Sequence, residues 1–347
     1  MKFMFKCTLA AAILVLCITA PLAAGPLEDG ATAYSRGDYT TALQLLRPLA
    51  DRGNAVAQNN LGAMYALGEG VPKDDAEAAK WYQLAADQGF AVAQNNLGVA
   101  YREGRGVPQS YAEALKWLRL ATDQGLAEAE NNFGVVFANG DGVPQNYTEA
   151  MKWYRKAADQ GSAKAENNLG LMYSNGWGVP TDNTEAVKWF RLSAEQGNAD
   201  GQYFLGGAYF SGYVSGSQDE AEAAKWLSRS AEKGNPNAQS LLSFLYSNGR
   251  GVPQSDAEAV KWSRLAAIQG NARAQWFLGS AYASGNSVPK DYVLAYMWSN
   301  LAAASPQFAE TAAFVRDEVA KKMIPEQIAE AQKLAREWKP TARGNSQ

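Results

Sequence analysis

The chain has 347 residues, 47% of them hydrophobic, and a formal net charge of −3. It contains no histidine, the commonest general base and transition-metal ligand, and its two cysteines, Cys7 and Cys17, both lie near the start. No lysine- or arginine-rich block interrupts it; phosphate binding needs clustered positive charge, so nucleic acid is not an expected partner.

The first residues read as a secretory leader. Lys2 and Lys6 precede a 14-residue, mostly apolar run from Cys7 to Ala20, shorter than the roughly 20 residues a helix needs to cross a bilayer. Small residues Ala23, Ala24 and Gly25 follow, so residues 1–24 are expected to be a signal peptide cleaved near Ala24. The mature chain is then expected in the periplasm or outside the cell. It would have no stable membrane span, no thiol nucleophile, no disulfide and no thiolate zinc site. The competing reading is an uncleaved N-terminal anchor. Residues 27–53 contain Ala33-Tyr34, Gly37-Asp38-Tyr39 and Ala42-Leu43 and look like a tetratricopeptide-type helical hairpin.

From there the chain repeats itself. Tryptophan recurs at Trp81, Trp117, Trp153, Trp189, Trp226, Trp262 and Trp298, a spacing of 36 residues with a single 37. Leu-Gly pairs keep the same phase (Leu61-Gly62, Leu97-Gly98, Leu169-Gly170, Leu205-Gly206, Leu278-Gly279), with Phe133-Gly134 and Leu242-Ser243 as variants. A fixed period in this range signals a stack of two-helix units. In the first unit, helix A is predicted over about Ala55 to Ala66, ended by Gly68 to Pro72, because glycine suits the left-handed turn after a helix and proline cannot continue one. Helix B is predicted from near Asp74 to Gly89. Cap residues precede every helix B, at Asp74, Ser110, Asn146, Asp182, Asp219, Ser255 and Asp291. Glu77, Glu113, Glu149, Glu185, Glu222 and Glu258 follow three residues later, as in a capping box. Lysine lies a further three on, so these charges are explained as helix-surface chemistry. The tryptophans share an apolar stripe with Ala78 and Ala85 and are expected in the core, since each can bury about 150–250 Å².

Ala55-Val56-Ala57-Gln58-Asn59-Asn60-Leu61-Gly62, Tyr65, Gly68 to Pro72, Ala78, Trp81, Ala85-Ala86 and Gly89 together resemble the Sel-one-like repeat (SLR), a relative of the tetratricopeptide repeat. Seven such units cover residues 54–305. The resemblance implies an all-α, right-handed α/α superhelical solenoid of tandem helix-turn-helix repeats that serves as a curved scaffold for protein assembly. Residues 306–347 follow as closing helices and tail; within them Phe308, Phe314, Val315, Val319, Met323, Ile328 and Leu334 predict two closing helices broken at Pro325. In the seventh unit the Glu and Lys positions of helix B hold Leu294 and Met297, an apolar end that the tail is expected to cover.

At 100° per residue, Ala57, Leu61, Met64 and Tyr65 share one side of helix A, and Asn59 points nearly opposite. In tetratricopeptide-like stacks that side lines the concave wall. Its column is Asn59, Asn95, Asn131 and Asn167 in the first four units, then Tyr203, Ser240 and Trp276; Phe210 and Phe244 lie on the same arc. The expectation is an exposed wall, amide-lined and then aromatic, that captures a protein or peptide segment. A cell-wall glycan is the alternative ligand, since aromatics beside amides also suit sugars. The fifth-unit loop Gly212 to Ser217 lacks proline and is one residue longer, which reads as a neutral insertion. No nucleophile–base constellation is present and no spacing singles out a carboxylate pair, so neither catalysis nor a metal or cofactor is expected. Hydrolase activity, linked to disulfide-rich members of the resembled family, is disfavoured because their cysteines are missing.

The leader makes a first testable claim. N-terminal sequencing of the form found in the cell envelope should begin near Gly25; an intact Met1 terminus there refutes cleavage.

Overall fold

The structure, a computed structural model, describes residues 25–214 and 216–341. The expected signal peptide, with Cys7, Cys17 and the Ala24 cleavage point, lies outside the described residues. Among the described residues the regular structure consists of eighteen α-helices. None is long and apolar enough to cross a membrane. The chain divides into two compact units between Thr181 and Asp182.

The first unit opens with the hairpin α1 (Pro26–Ser35) and α2 (Tyr39–Asp51). Three repeats follow: α3 (Ala55–Leu67) with α4 (Asp75–Asp87), α5 (Ala91–Glu103) with α6 (Tyr111–Asp123), and α7 (Ala127–Asn139) with α8 (Tyr147–Asp159). The unit ends with α9 (Ala163–Asn175). The second unit holds α10 (Asn183–Glu195), then α11 (Ala199–Ser211) with α12 (Glu220–Glu232), α13 (Pro236–Asn248) with α14 (Asp256–Ile268), and α15 (Ala272–Ser284) with α16 (Tyr292–Ala303). It closes with α17 (Ala309–Ala320) and α18 (Pro325–Glu337).

The helix boundaries follow from the residues that mark them. Each of the seven predicted cap side chains accepts a backbone N–H from the first turn of its helix B. The other half of the capping box is formed differently from expectation. The cap's own N–H donates to the preceding helix A, as from Asp74 to the Tyr65 carbonyl at 2.9 Å and from Asn146 to Phe137 at 2.9 Å. The glutamates are left to pair with the lysines three residues on, Glu77 with Lys80 at 2.9 Å and Glu185 with Lys188 at 2.8 Å. The lysines of these pairs are largely exposed, so the pairs contribute little to stability. In the loops, the second glycine of Gly-x-Gly-Val-Pro lets two backbones meet: a Cβ on Gly106, which has φ 69°, would fall 1.8 Å from the Asp75 carbonyl oxygen.

Within a repeat, helices A and B meet at the Leu-Gly pair. A Cβ on Gly62 would lie 2.7 Å from the Tyr82 ring, on Gly98 2.8 Å from Leu118, on Gly134 2.7 Å from Tyr154, and on Gly206 2.8 Å from Leu227. These bulky partners, each one residue after a tryptophan, are buried to 2% exposure or less. The tryptophans sit at the margin of the core. Trp81, Trp117 and Trp226 are buried and the other four partly so. Basic side chains lie over their outer faces, Arg47 at 5.3 Å from the Trp81 centroid and Arg229 at 4.6 Å from that of Trp226.

Successive repeats are joined by the glutamine of Ala-x-Ala-Gln. Gln58 donates to the Ala50 carbonyl at 3.1 Å and accepts from Gln88 at 2.7 Å. Gln239 does the same with Ala231 at 3.1 Å and Gln269 at 2.9 Å. The side-chain amide thus gives the last turn of the preceding helix a partner for a carbonyl that has none within the helix.

At the C-terminal end, α17 and α18 pack on α16. Val319 and Ala331 are buried against Ala295 and Tyr296, with Val293, Val315, Met323 and Ile328 around them. Met297 is buried and Leu294 half-buried. Phe314 departs from the predicted apolar stripe and is 68% exposed. Beyond α18 the chain turns back: Trp338 meets Trp298 edge-on at 6.4 Å, and both the N–H and the hydroxyl of Thr341 donate to the Ile268 carbonyl, at 2.9 and 3.2 Å. Deleting residues 306–347 should therefore lower the melting temperature and raise binding of an apolar fluorescent dye. An unchanged melt would show that this packing does not stabilise the stack.

Candidate binding site

The structure corrects half of the predicted wall. Asn59, Asn95, Asn131 and Asn167 do not face solvent; their exposures are 0, 0, 1 and 7%. Each belongs to an Asn-Asn pair on helix A, and the second asparagine of one repeat reaches the first of the repeat before. Asn96 donates to Asn59 at 3.1 Å, Asn132 to Asn95 at 2.8 Å and Asn168 to Asn131 at 2.9 Å. Neighbouring A helices lie closely enough for these short amides to span the gap. Placing Asn59 opposite the Leu61 stripe was sound; the error was to assume that the opposite side of helix A is free, when the next helix A covers it.

The second unit treats the same face differently. Where asparagine pairs would stand it carries Tyr203-Phe204, Ser240-Leu241 and Trp276-Phe277. Three of the four predicted aromatics, Phe210, Phe244 and Trp276, line one cavity of about 530 Å³. Phe210 and Phe244 meet edge-on at 6.3 Å. Trp276 is stacked on Phe308, 6.0 Å away and 25° from parallel, so the segment entering α17 supplies an end wall. Tyr203 does not line this cavity. It is half-buried beside Phe204, 5.0 Å away, and its burial raises the phenol pKa while the charge of Arg273 opposes the rise.

Several cavity residues were missed in the sequence. Arg250 lies over the Phe210 ring at 4.4 Å and is held by Glu220, its Nε 2.6 Å from Oε1. Arg273 is exposed at the rim. Ser243 and Ser263, both buried, share a hydrogen bond of 2.6 Å in the cavity wall. Ser263 stands one residue after Trp262, where Tyr82, Leu118, Tyr154, Phe190 and Leu227 stand in the first five repeats; Ser299 follows Trp298 in the seventh. That break in a column of large residues was the available signal. The cavity offers rings, hydroxyls and guanidinium groups, a set suited to holding a molecule. No group of three His, Cys, Asp or Glu side chains among the described residues is placed to hold a metal ion.

The Sel1 repeat signature matches residues 55–90, 91–126, 127–162, 163–198, 199–235, 236–271 and 272–306. The chain belongs to the Sel1 repeat family. Each match to this repeat begins on the first residue of a helix A, α3 through α15. A Sel1 repeat protein from Oxalobacter formigenes is 38% identical, with a TM-score of 0.61, over 70% of this chain and 98% of its own. The protein c5321, described as a protective antigen of uropathogenic Escherichia coli strains displaying an SLR fold, is 30% identical over 90% of this chain and 91% of its own, with a TM-score of 0.40. No curated protein matches the chain. Sel1 repeat proteins are typically protein-interaction scaffolds and generally non-catalytic.

Because the Sel1 asparagines pair between repeats, they should act on stability. Asn132→Ala leaves the buried Asn95 oxygen without its donor and should cost about 1–3 kcal/mol in a urea melt. A loss below about 0.3 kcal/mol would mean that the ladder is not a stabilising network.

Proposed function

We propose that this protein is an exported, non-catalytic interaction scaffold that captures a protein or peptide segment on the helix A face of its second unit. The observation that carries the reading is the cavity on that face, where Phe210, Phe244 and Trp276 come together. A preformed apolar recess with a few polar groups at its edge is the usual form of a protein hot-spot pocket. Export to the periplasm or beyond rests on the leader, through Lys2, Lys6 and the apolar run to Ala20.

A glycan is the weaker ligand. Sugars stack on open aromatic faces and hydrogen-bond to accessible amides. Here one face of Trp276 is covered by Phe308, and Arg250 lies over Phe210. The amides that would have served a sugar are buried in the asparagine ladder.

Affinity capture of the mature chain from an envelope extract, with cross-linking, supplies the partner for the test. Phe244 is 37% exposed, so Phe244→Ala should leave the melting temperature nearly unchanged. It should weaken the captured partner about tenfold by titration calorimetry, as expected for a mid-sized hot-spot residue. Unchanged affinity, or retention on purified cell-wall sacculi in place of a protein, would sink the proposal.

A further inference from the structure

We propose that the cavity reads a particular kind of segment: one in which a side-chain carboxylate lies beside a bulky apolar side chain. The proposal rests on the capture reading above and deepens it.

The cavity owes part of its room to a substitution. In earlier repeats the small residue of helix A faces a ring or a leucine of helix B, as Gly134 faces Tyr154 and Gly206 faces Leu227, whereas in the seventh Gly279 faces Ser299. In the sixth repeat both partners are serine. The wall there is the hydroxyl pair Ser243–Ser263, in the place a buried leucine or tyrosine side chain fills in earlier repeats such as the third and fifth. A bulky apolar group from outside can occupy the space that the chain's own side chain has vacated. The surrounding Leu241, Phe244, Phe277 and Phe308 supply an apolar lining.

The polar groups of the cavity are all suited to an anion. No carboxylate is among its lining residues, whereas two guanidinium groups are. Arg250 is held by Glu220. Arg273 has no hydrogen bond or ion pair among the described residues, so its charge is uncommitted at the rim. Two hydrogen-bond donors in the lining also lack acceptors. The Ser240 hydroxyl belongs to a residue only 5% exposed, and its oxygen has no hydrogen-bond partner; the Trp276 Nε1–H is likewise buried and unpartnered. A buried donor without an acceptor is costly, and a carboxylate oxygen offers the acceptor both lack. Ser240 and Trp276 occupy the same column of successive A helices, with Arg273 one turn before Trp276, and all three residues line the one cavity that an acidic side chain would enter. Charge complementarity then selects the acid, and the serine-walled recess selects its apolar neighbour.

Selection from random seven-residue segments tests this. The segments are displayed inside a loop of a carrier protein, so that side chains are their only carboxylates. The full-length protein, Arg273→Glu and Arg273→Gln are panned in parallel, with helical circular dichroism to confirm folding. The native protein should enrich segments that place Asp or Glu next to Phe, Leu or Trp. An enriched segment, synthesised with blocked ends and a fluorophore, should bind at least tenfold more weakly to both variants. Arg273→Glu should turn the preference towards Lys and Arg, and Ser263→Leu should remove the preference for the bulky apolar residue. Enrichment of segments without acids, or an acidic preference untouched in Arg273→Glu, overturns the proposal and leaves peptide capture standing. No enrichment by the native protein overturns both.

Discussion

Helix A and helix B of a repeat approach so closely that one of them must give up its side chain at the crossing. Glycine at the Leu-Gly pair makes that concession, and at Gly62, Gly98, Gly134 and Gly206 a tyrosine or leucine from helix B fills the space, within 2.8 Å of where a Cβ would stand. Close packing of this kind tolerates little change in volume on one side without a matching change on the other. Ser243 and Ser263 show the rule at work: a Cβ has appeared on helix A, and the large residue of helix B has shrunk to a hydroxyl that bonds it at 2.6 Å. The recess is thus continuous with the packing scheme of the fold. It lies where one small–large pair has become two small residues.

The same economy governs the opposite side of helix A. In the first unit, short amides tie each A helix to the next, and each Asn–Asn bond satisfies groups that burial would otherwise leave costly. In the second unit Ser240, Leu241 and four aromatic residues take those positions. Rings of different sizes cannot tile the face as uniformly as a repeated amide, and the cavity between α13 and α15 is the result. A polar ladder rigidifies without offering a surface, whereas an uneven apolar row offers one. The position that reads as a single column in the sequence therefore does two different jobs.

Much of this was legible in the sequence because it depends on local chemistry repeated in phase. Caps such as Ser110, breaks such as Gly68 and the break before Pro325 act on their own few residues, and repetition multiplies the signal. The fate of Asn95 was not legible. Helical phase says which side of a helix a residue occupies, but whether a second helix covers that side depends on the spacing between repeats. The cavity was half legible: Phe210, Phe244 and Trp276 announced themselves as aromatics on one arc, whereas Ser263 is conspicuous only against the large residues of its column. Phe308 and Arg273 gain their roles from chain segments that meet in space, one from the closing tail and one from the rim of α15.

The turn-back of the chain after α18 has a consequence for how the molecule comes apart. In a linear array each repeat touches only its neighbours, so the ends are free to fray one repeat at a time. Thr341 reaches over the seventh repeat to the carbonyl of Ile268, at the end of the sixth, and Trp338 leans on Trp298 on the way. A contact of that sequence separation cannot survive the peeling away of what it spans. Fraying from this end must therefore break the Thr341–Ile268 and Trp338–Trp298 contacts together with the closing helices, and it carries away Phe308, the end wall of the recess.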